Sequence, residues 1–359
     1  FCHFLFVVGI AFLFMLLVSR RNFIRFTQKT TKQFSKMSST SATLKPPVAE
    51  RIEHVQKWHG KELKDYYHWM RDDKRKDPKV LAHLKLENEY TEQVLAPTKQ
   101  LHDEIFKEFK SRLNETDTSA PFHRDQYEYF TRTIEGKEYQ QYCRRSVDNN
   151  EEEILLDLNV EHVDQEYRKV WSFKVSPDHK RLAYTIDFSG GEDHTLYVKD
   201  LVTKQRCTRS IEHTMFNLEW SADSTQLYFD KFDSAKRPFQ IWRTTVDEYG
   251  PGEASKLLEE PDGTFELHMH KTSDGQHIVV ESKSGAAAGQ FVVDATEAHG
   301  EAHALIDRSA FDDEHMCSID HWQRGAHAGW FILSNKDDQA NFALYFASAA
   351  SPADWRAVL

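Results

Sequence analysis

Three stretches set an acid into the same local pattern: "VSPDHKRLAYTID" from Val175, "WSADSTQLYFD" from Trp220 and "KTSDGQHIVVE" from Lys271. Carboxylates can ligate metal ions or move protons, so Asp178, Asp223 and Asp274 are the first residues to weigh for chemistry. Each is followed four residues later by an apolar residue, Leu182, Leu227 and Ile278. An acid that recurs once per structural repeat is spread through the fold rather than gathered on one ion. Beside Pro177, whose φ is fixed, an aspartate can also close a tight bend by accepting backbone N–H groups. The three acids are therefore read as turn residues.

The other candidates are weaker. Ser189 in "DFSGGED" lies next to glycine, but no Gly-x-Ser-x-Gly pentapeptide occurs in the chain, and Ser189 is read as part of a turn. "SGGED" is too short for a phosphate loop and precedes a strand rather than a helix. His268 and His270 would share one face of a strand, yet no third metal ligand accompanies them, and no His-Glu-x-x-His pattern is present. The acidic run from Glu151 to Glu153 reads as a solvated turn before "ILLDL". Cys2, Cys143, Cys207 and Cys317 form no Cys-x-x-Cys pair, which points to reduced thiols. No catalytic, cofactor-binding or metal-ligating residue is assigned, and no cofactor is expected.

The elements that carry these residues change character along the chain. Asp77 and Pro78 suit the cap and first position of a helix through "KVLAHLKLENEYTEQVL", which Pro97 closes. A second helix follows, with Leu101, Ile105, Phe109 and Leu113 at four-residue spacing and Phe106 beside them. Both are read as packing elements. From residue 121 the period shortens to aromatic and β-branched runs such as "YEYFTR", "LAYTID", "QLYFD", "HIVVES", "WFILS" and "ALYFA", separated by charged or glycine-bearing turns. In "RLAYTID", Leu182, Tyr184 and Ile186 alternate with Ala183 and Thr185, as a strand requires. Registered on the turn acids Asp125, Asp178, Asp223 and Asp274, the repeats are 53, 45 and 51 residues apart. About four strands in each such interval is the spacing of propeller blades, which an open sandwich would not demand.

With 57 acidic against 46 basic residues the formal net charge is -11, which argues against a general nucleic-acid-binding surface. A hydrophobic content of 40% with 13% aromatic residues suits a globular, strand-rich chain.

From "DYYHWMRDD" (Asp65 to Asp73) onward the chain resembles the amino-terminal part of the prolyl oligopeptidase family of serine peptidases, and within it the oligopeptidase B group. The resemblance continues through "LENEYTEQVL", "ETDTSAPF", "YFTRTIEGKEYQQYCRR", "EEILLDLN", "FKVSPDHKRLAYTIDFSGGEDHTLYVKDL", "WSADSTQLYF" and "SNKDDQANFALY". It implies a mainly β fold: an incomplete seven-bladed propeller of about four to five blades over residues 121–359. A helical segment over residues 46–120 would pack on an α/β-hydrolase catalytic domain that this chain lacks. The implied activity is hydrolysis of short unstructured peptides after Arg or Lys, with the propeller restricting access. "WMRDD" and "YCRR" favour that specificity over cleavage after proline. No triad residue can be carried onto this chain, which should be inactive alone, and a noncatalytic peptide-binding propeller is the reading from a different class.

Residues 1–45 form an apolar and basic leader. Residues 1–18, "FCHFLFVVGIAFLFMLLV", just reach the length of a membrane helix, and the basic residues after them would leave the body on the cytoplasmic side. The competing expectation is that Met37 is the initiator, upstream residues are translated leader, and the protein is cytoplasmic. Intact-mass measurement on protein expressed from its native locus should give an amino terminus near Met37. A mass that retains residues 1–36 would instead identify an anchor.

Overall fold

The computed structural model describes residues 44–297, 299–310, 314–324, 327–336 and 339–358. The apolar run at 1–18 lies outside them; no helix among the described residues is long and apolar enough to cross a membrane. The chain divides into two units, 1–114 and 115–359.

The first unit begins with a hairpin rather than a helix. β1 (His54–Trp58) and β2 (Lys61–Asp65) pair antiparallel around His59 and Gly60. Their φ values of 49° and 76° are the two left-handed residues that a tight hairpin turn needs. This hairpin lies inside the stretch 46–120 that the family resemblance implies to be helical; its charged alternation hides the strand period, whereas the His-Gly pair marks the turn. Asp72 Oδ2 then accepts the Asp77 N–H at 2.6 Å and Asp77 Oδ1 accepts the Lys79 N–H at 2.8 Å. This caps α1 (Pro78–Leu95), and a single 3-10 turn over Ala96–Thr98 leads into α2 (Lys99–Ser111). The Trp69 indole donates to Glu50 O at 2.8 Å, under the Lys79 ammonium 4.5 Å from its ring. Neither helix buries a side chain: Leu81, Leu84, Leu86, Val94 and Leu95 on α1, and Phe106 and Phe109 on α2, are exposed. As packing elements, the helices lack a covering surface within their own unit.

The second unit holds five four-stranded antiparallel sheets, each built from strands consecutive in sequence. Blade I contains β3 (Phe122–Arg124), β4 (Tyr127–Arg132), β5 (Gln141–Ser146) and β6 (Glu152–Asp157). Blade II contains β7 (Lys169–Val175), β8 (Arg181–Asp187), β9 (His194–Asp200) and β10 (Arg206–Thr214). Blade III contains β11 (Leu218–Trp220), β12 (Gln226–Phe232), β13 (Pro238–Asp247) and β14 (Gly250–Glu259). Blade IV contains β15 (Glu266–Lys271), β16 (His277–Lys283), β17 (Ala288–Asp294) and β18 (His303–Ile306). Blade V contains β19 (Cys317–Arg324), β20 (His327–Ser334), β21 (Ala343–Ser348) and β22 (Arg356–Ala357). First strands β7, β11 and β15 stand beside one another, and last strands β10 and β14 do the same. This is a propeller arrangement, with the first strand of each sheet innermost.

Four apolar cores fill the seams between consecutive blades. Leu182, Tyr184 and Ile186 of β8 pack on Tyr129, Leu155 and Leu156 of blade I, while Ala183 between them faces Leu218, Trp220 and Leu227 of blade III. The same split recurs at β12, where Leu227 and Phe229 face blade II and Tyr228 faces blade IV. In β16, Ile278 and Val280 face blade III and Val279 faces blade V.

The repeated acids close the bends between first and second strands. Asp178 Oδ1 accepts the Ser176 hydroxyl at 2.6 Å and the Lys180 N–H at 3.1 Å, while Ser176 Oγ accepts the Arg181 N–H at 3.0 Å. Ser221 with Asp223 and Thr272 with Asp274 repeat the arrangement. The residue after each acid, His179, Ser224 or Gly275, takes a left-handed φ of 60°, 66° or 75°. Burial alone would raise the Asp223 carboxyl, but hydrogen bonds from Ser221 and Thr225 outweigh it and hold the group below its ordinary 3.8. Its contribution to stability is complete above that value and is lost as pH falls through the lowered folded value. Asp223→Ala should cost no more than about 1 kcal/mol at neutral pH in urea melts, because the carboxylate is exposed and screened by solvent. The difference from wild type should shrink as pH falls through the lowered folded value.

Candidate functional site

Charged side chains gather where the first strands of blades I to IV reach their turns. Arg124 ends β3, Lys174 and Glu219 are next to last in β7 and β11, and Lys271 ends β15. Arg124 donates to Val175 O at 3.0 Å, reaching from blade I to blade II. The Lys174 ammonium meets Glu219 Oε1 at 2.5 Å, joining blade II to blade III. On the blade V side, Asp320 accepts the Ser273 N–H at 2.8 Å and also its hydroxyl. The strands stand side by side, β7 against β11 and β11 against β15, so the side chains form one mixed-charge cluster along the first strands.

Lys271 is the outlier in this cluster. Among the described residues no carboxylate lies within ion-pair distance of its half-buried ammonium. Burial lowers its pKa to about 8; Glu219 acts against that shift, and the Arg124 and Lys174 charges add to it. It is a cation held near Glu219 and near two other cations.

The residues weighed from the sequence fall elsewhere. Ser189 donates to Asp187 Oδ1 at 2.8 Å in a turn whose backbone N–H groups also converge on Asp187. His268 pairs with Glu266 at 3.1 Å, whereas His270 Nε2 lies 3.3 Å from Ile319 O, so the two rings serve different neighbours. Glu152 and Glu153 belong to β6 rather than to a turn. They pair across the sheet with Arg132 and with the buried Arg144. The sequence gives this away in "CRR", whose arginines sit opposite the two glutamates in the register of β5 and β6. Cys143, Cys207 and Cys317 are free thiols, and burial pushes Cys317 up to about 12, far from a reactive thiolate. Ser334 Oγ lies 2.8 Å from His315 Nε2, the spacing of a nucleophile and its base. Both residues are buried, which shuts a substrate carbonyl out. Asp274 is the one turn acid that gathers a cluster, with His277 and His321.

Comparison with known proteins places this architecture. The family model described as "Prolyl oligopeptidase, N-terminal beta-propeller domain" matches residues 46–359. Dipeptidyl aminopeptidase BI of Pseudoxanthomonas mexicana is 28% identical over 340 residues, covering 89% of this chain and 46% of that protein. Protease 2 of Moraxella lacunata is 27% identical over 289 residues, covering 78% of this chain and 41% of its own. The structure of oligopeptidase B from Leishmania major superposes with a TM-score of 0.79 at 28% identity, over 88% of this chain and 46% of that one. The chain thus spans less than half the length of the relatives it matches. With the blades, their seams and the family match over residues 46–359 in agreement, the chain belongs to the prolyl oligopeptidase family of serine peptidases, as its N-terminal propeller portion.

Proposed function

We propose that this chain is the gating portion of a serine oligopeptidase that hydrolyses short, unstructured peptides after Arg or Lys. The observation that carries the reading is the likeness to oligopeptidase B, in fold and in sequence together, at a TM-score of 0.79 and 28% identity. The acyl transfer would be performed by a serine, histidine and aspartate outside these residues, with backbone amides holding the oxyanion. The exposed apolar faces of α1 and α2 are what a catalytic domain would cover. The propeller channel, lined at one end by Arg124, Lys174, Glu219 and Lys271, would admit an extended chain and exclude a folded one.

Full-length enzyme, expressed with whatever coding sequence follows Leu359, should cleave fluorogenic peptides after Arg or Lys with kcat/KM at least about tenfold above matched proline peptides, a difference of about 1.4 kcal/mol in transition-state binding. The 359-residue chain alone should show no hydrolysis. Preference for proline, or stepwise release of dipeptides from free amino termini, would reject the assigned specificity.

Lys271 gives an independent test of the channel lining. Its folded pKa of about 8 lies below the ordinary 10.5, so its ammonium burdens the folded state below pH 8, and stability recovers as pH rises from 8 to 10.5. Lys271→Met should therefore raise the unfolding free energy at pH 7, by no more than about 1 kcal/mol after solvent screening, as read in urea melts. The gain should fade by about pH 10.5.

A further inference from the structure

We propose that Asp274, His277 and His321 form a transition-metal site, suited to Zn2+, that fastens blade IV to blade V. Asp274 lies in the turn between β15 and β16, His277 is the first residue of β16, and His321 comes from β19 of the next blade. One ligand-capable atom from each lies within 4.8 Å of the other two. Two imidazoles and one carboxylate are a donor set for Zn2+ and its neighbours in the transition series, and a poor one for Ca2+ or Mg2+, which prefer all-oxygen shells. Tetrahedral bonds of about 2.0–2.1 Å put donors ~3.3 Å apart, so side-chain rotations that widen the Asp274–His321 contact and bring the His277 donor alongside it would complete three corners, with water at the fourth.

The groups around the cluster orient it. Asp274 Oδ1 is taken by the Thr272 hydroxyl at 2.8 Å and the Gln276 N–H at 3.2 Å, which leaves Oδ2 turned to His321 Nδ1 at 2.6 Å. His321 is buried, and the His277 and His321 rings meet at 4.4 Å and 65°, edge to face rather than stacked. Trp330 walls both, 5.0 Å from His277 and 4.6 Å from His321. His277 Nδ1 is buried and has no hydrogen-bond partner. A metal bond would give that nitrogen the partner it lacks.

A second seam shows what the same motif looks like without a third ligand. Between blades I and II, Asp125 Oδ2 meets His179 Nε2 at 3.0 Å, and the other ring nitrogen meets Tyr129 Oη at 2.7 Å. There a tyrosine completes the histidine and no nitrogen is left over. At the blade IV and V seam a second histidine stands in the cluster with a bare nitrogen.

The test uses the untagged chain, stripped with EDTA and dialysed, with Co2+ as spectroscopic probe and Zn2+ as calorimetric titrant. Binding of one metal per chain is expected, with visible Co2+ bands of low coordination number, displacement by Zn2+ and a rise in melting temperature with Zn2+. His277→Phe leaves the Asp274–His321 hydrogen bond in place and should still fold, yet weaken this site tenfold or more. His321→Gln should do the same and, in addition, lower the melting temperature of the metal-free chain. No stoichiometric binding, or binding undiminished in His277→Phe, overturns the site and leaves an Asp–His hydrogen bond alone. None of these readouts involves peptide hydrolysis, so the outcome stands apart from the peptidase reading.

Discussion

In the blades with a neighbour on both sides, the second strands β8, β12 and β16 feed an apolar core on each of their faces, and much of the second unit follows from that. A sheet wedged between two others has no solvent face, so strict apolar and polar alternation gives way to runs such as "LYF" in β12 and "IVV" in β16. Alternation survives in a different form. Successive residues serve different seams, so Leu227 and Phe229 belong to one core and Tyr228 to the next. A fully buried Leu, Ile or Phe contributes about 1.5–3 kcal/mol, and each seam collects several from both blades. A register slip of one residue in β12 would exchange the contents of two cores at once, which fixes the register more firmly than a one-sided sheet could.

Apolar seams alone would let neighbouring blades slide, and each seam carries polar fittings that prevent it. The Trp220 indole of blade III donates to Lys174 O of blade II at 2.9 Å. Asn217 spans the next seam: its amide donates to Leu267 O at 3.0 Å and its carbonyl accepts from Met269 N at 2.8 Å. The same amide also donates to Asp230, whose carboxyl burial raises to about 6 despite three N–H donors. These bonds are directional and lie inside apolar surroundings, where breaking one leaves a group that water cannot reach. Blade order and stagger are set there, while most of the stabilisation comes from the cores around them.

The sequence shows the repeating part of this design clearly because it is local. At Asp178, Asp223 and Asp274 a hydroxyl two residues before the acid, the acid, a left-handed residue and an apolar strand all lie within one short window, as at Ser176, Asp178, His179 and Leu182. The first strands are harder to see. β11 has only three residues, Leu218 to Trp220, and its identity comes from the blades on either side rather than from any period of its own. The charged alternation of "KELKD" likewise hides β2, an exposed strand with no core face. The lining charges and the Asp274 cluster escape for a third reason. Arg124, Lys174, Glu219 and Lys271, like Asp274 and His321, come from different blades, and only the ring closes the sequence distance between them.

The position of those charges bears on the proposed role in access. The first strand of each sheet pairs on one side only, so its other edge turns N–H and C=O groups toward the axis, where they need water. A hydrated axis explains how charges of both signs are tolerated there and why Lys271 keeps a pKa near 8 rather than losing its proton altogether. In a dry core the same ammonium would need a carboxylate at contact distance, as Lys174 has in Glu219. Under the proposed function, an extended peptide would bring backbone polar groups and charged ends that such a channel could solvate in place of water. A folded protein would bring a surface too wide to enter, so selection by size would need no specificity pocket in the propeller itself.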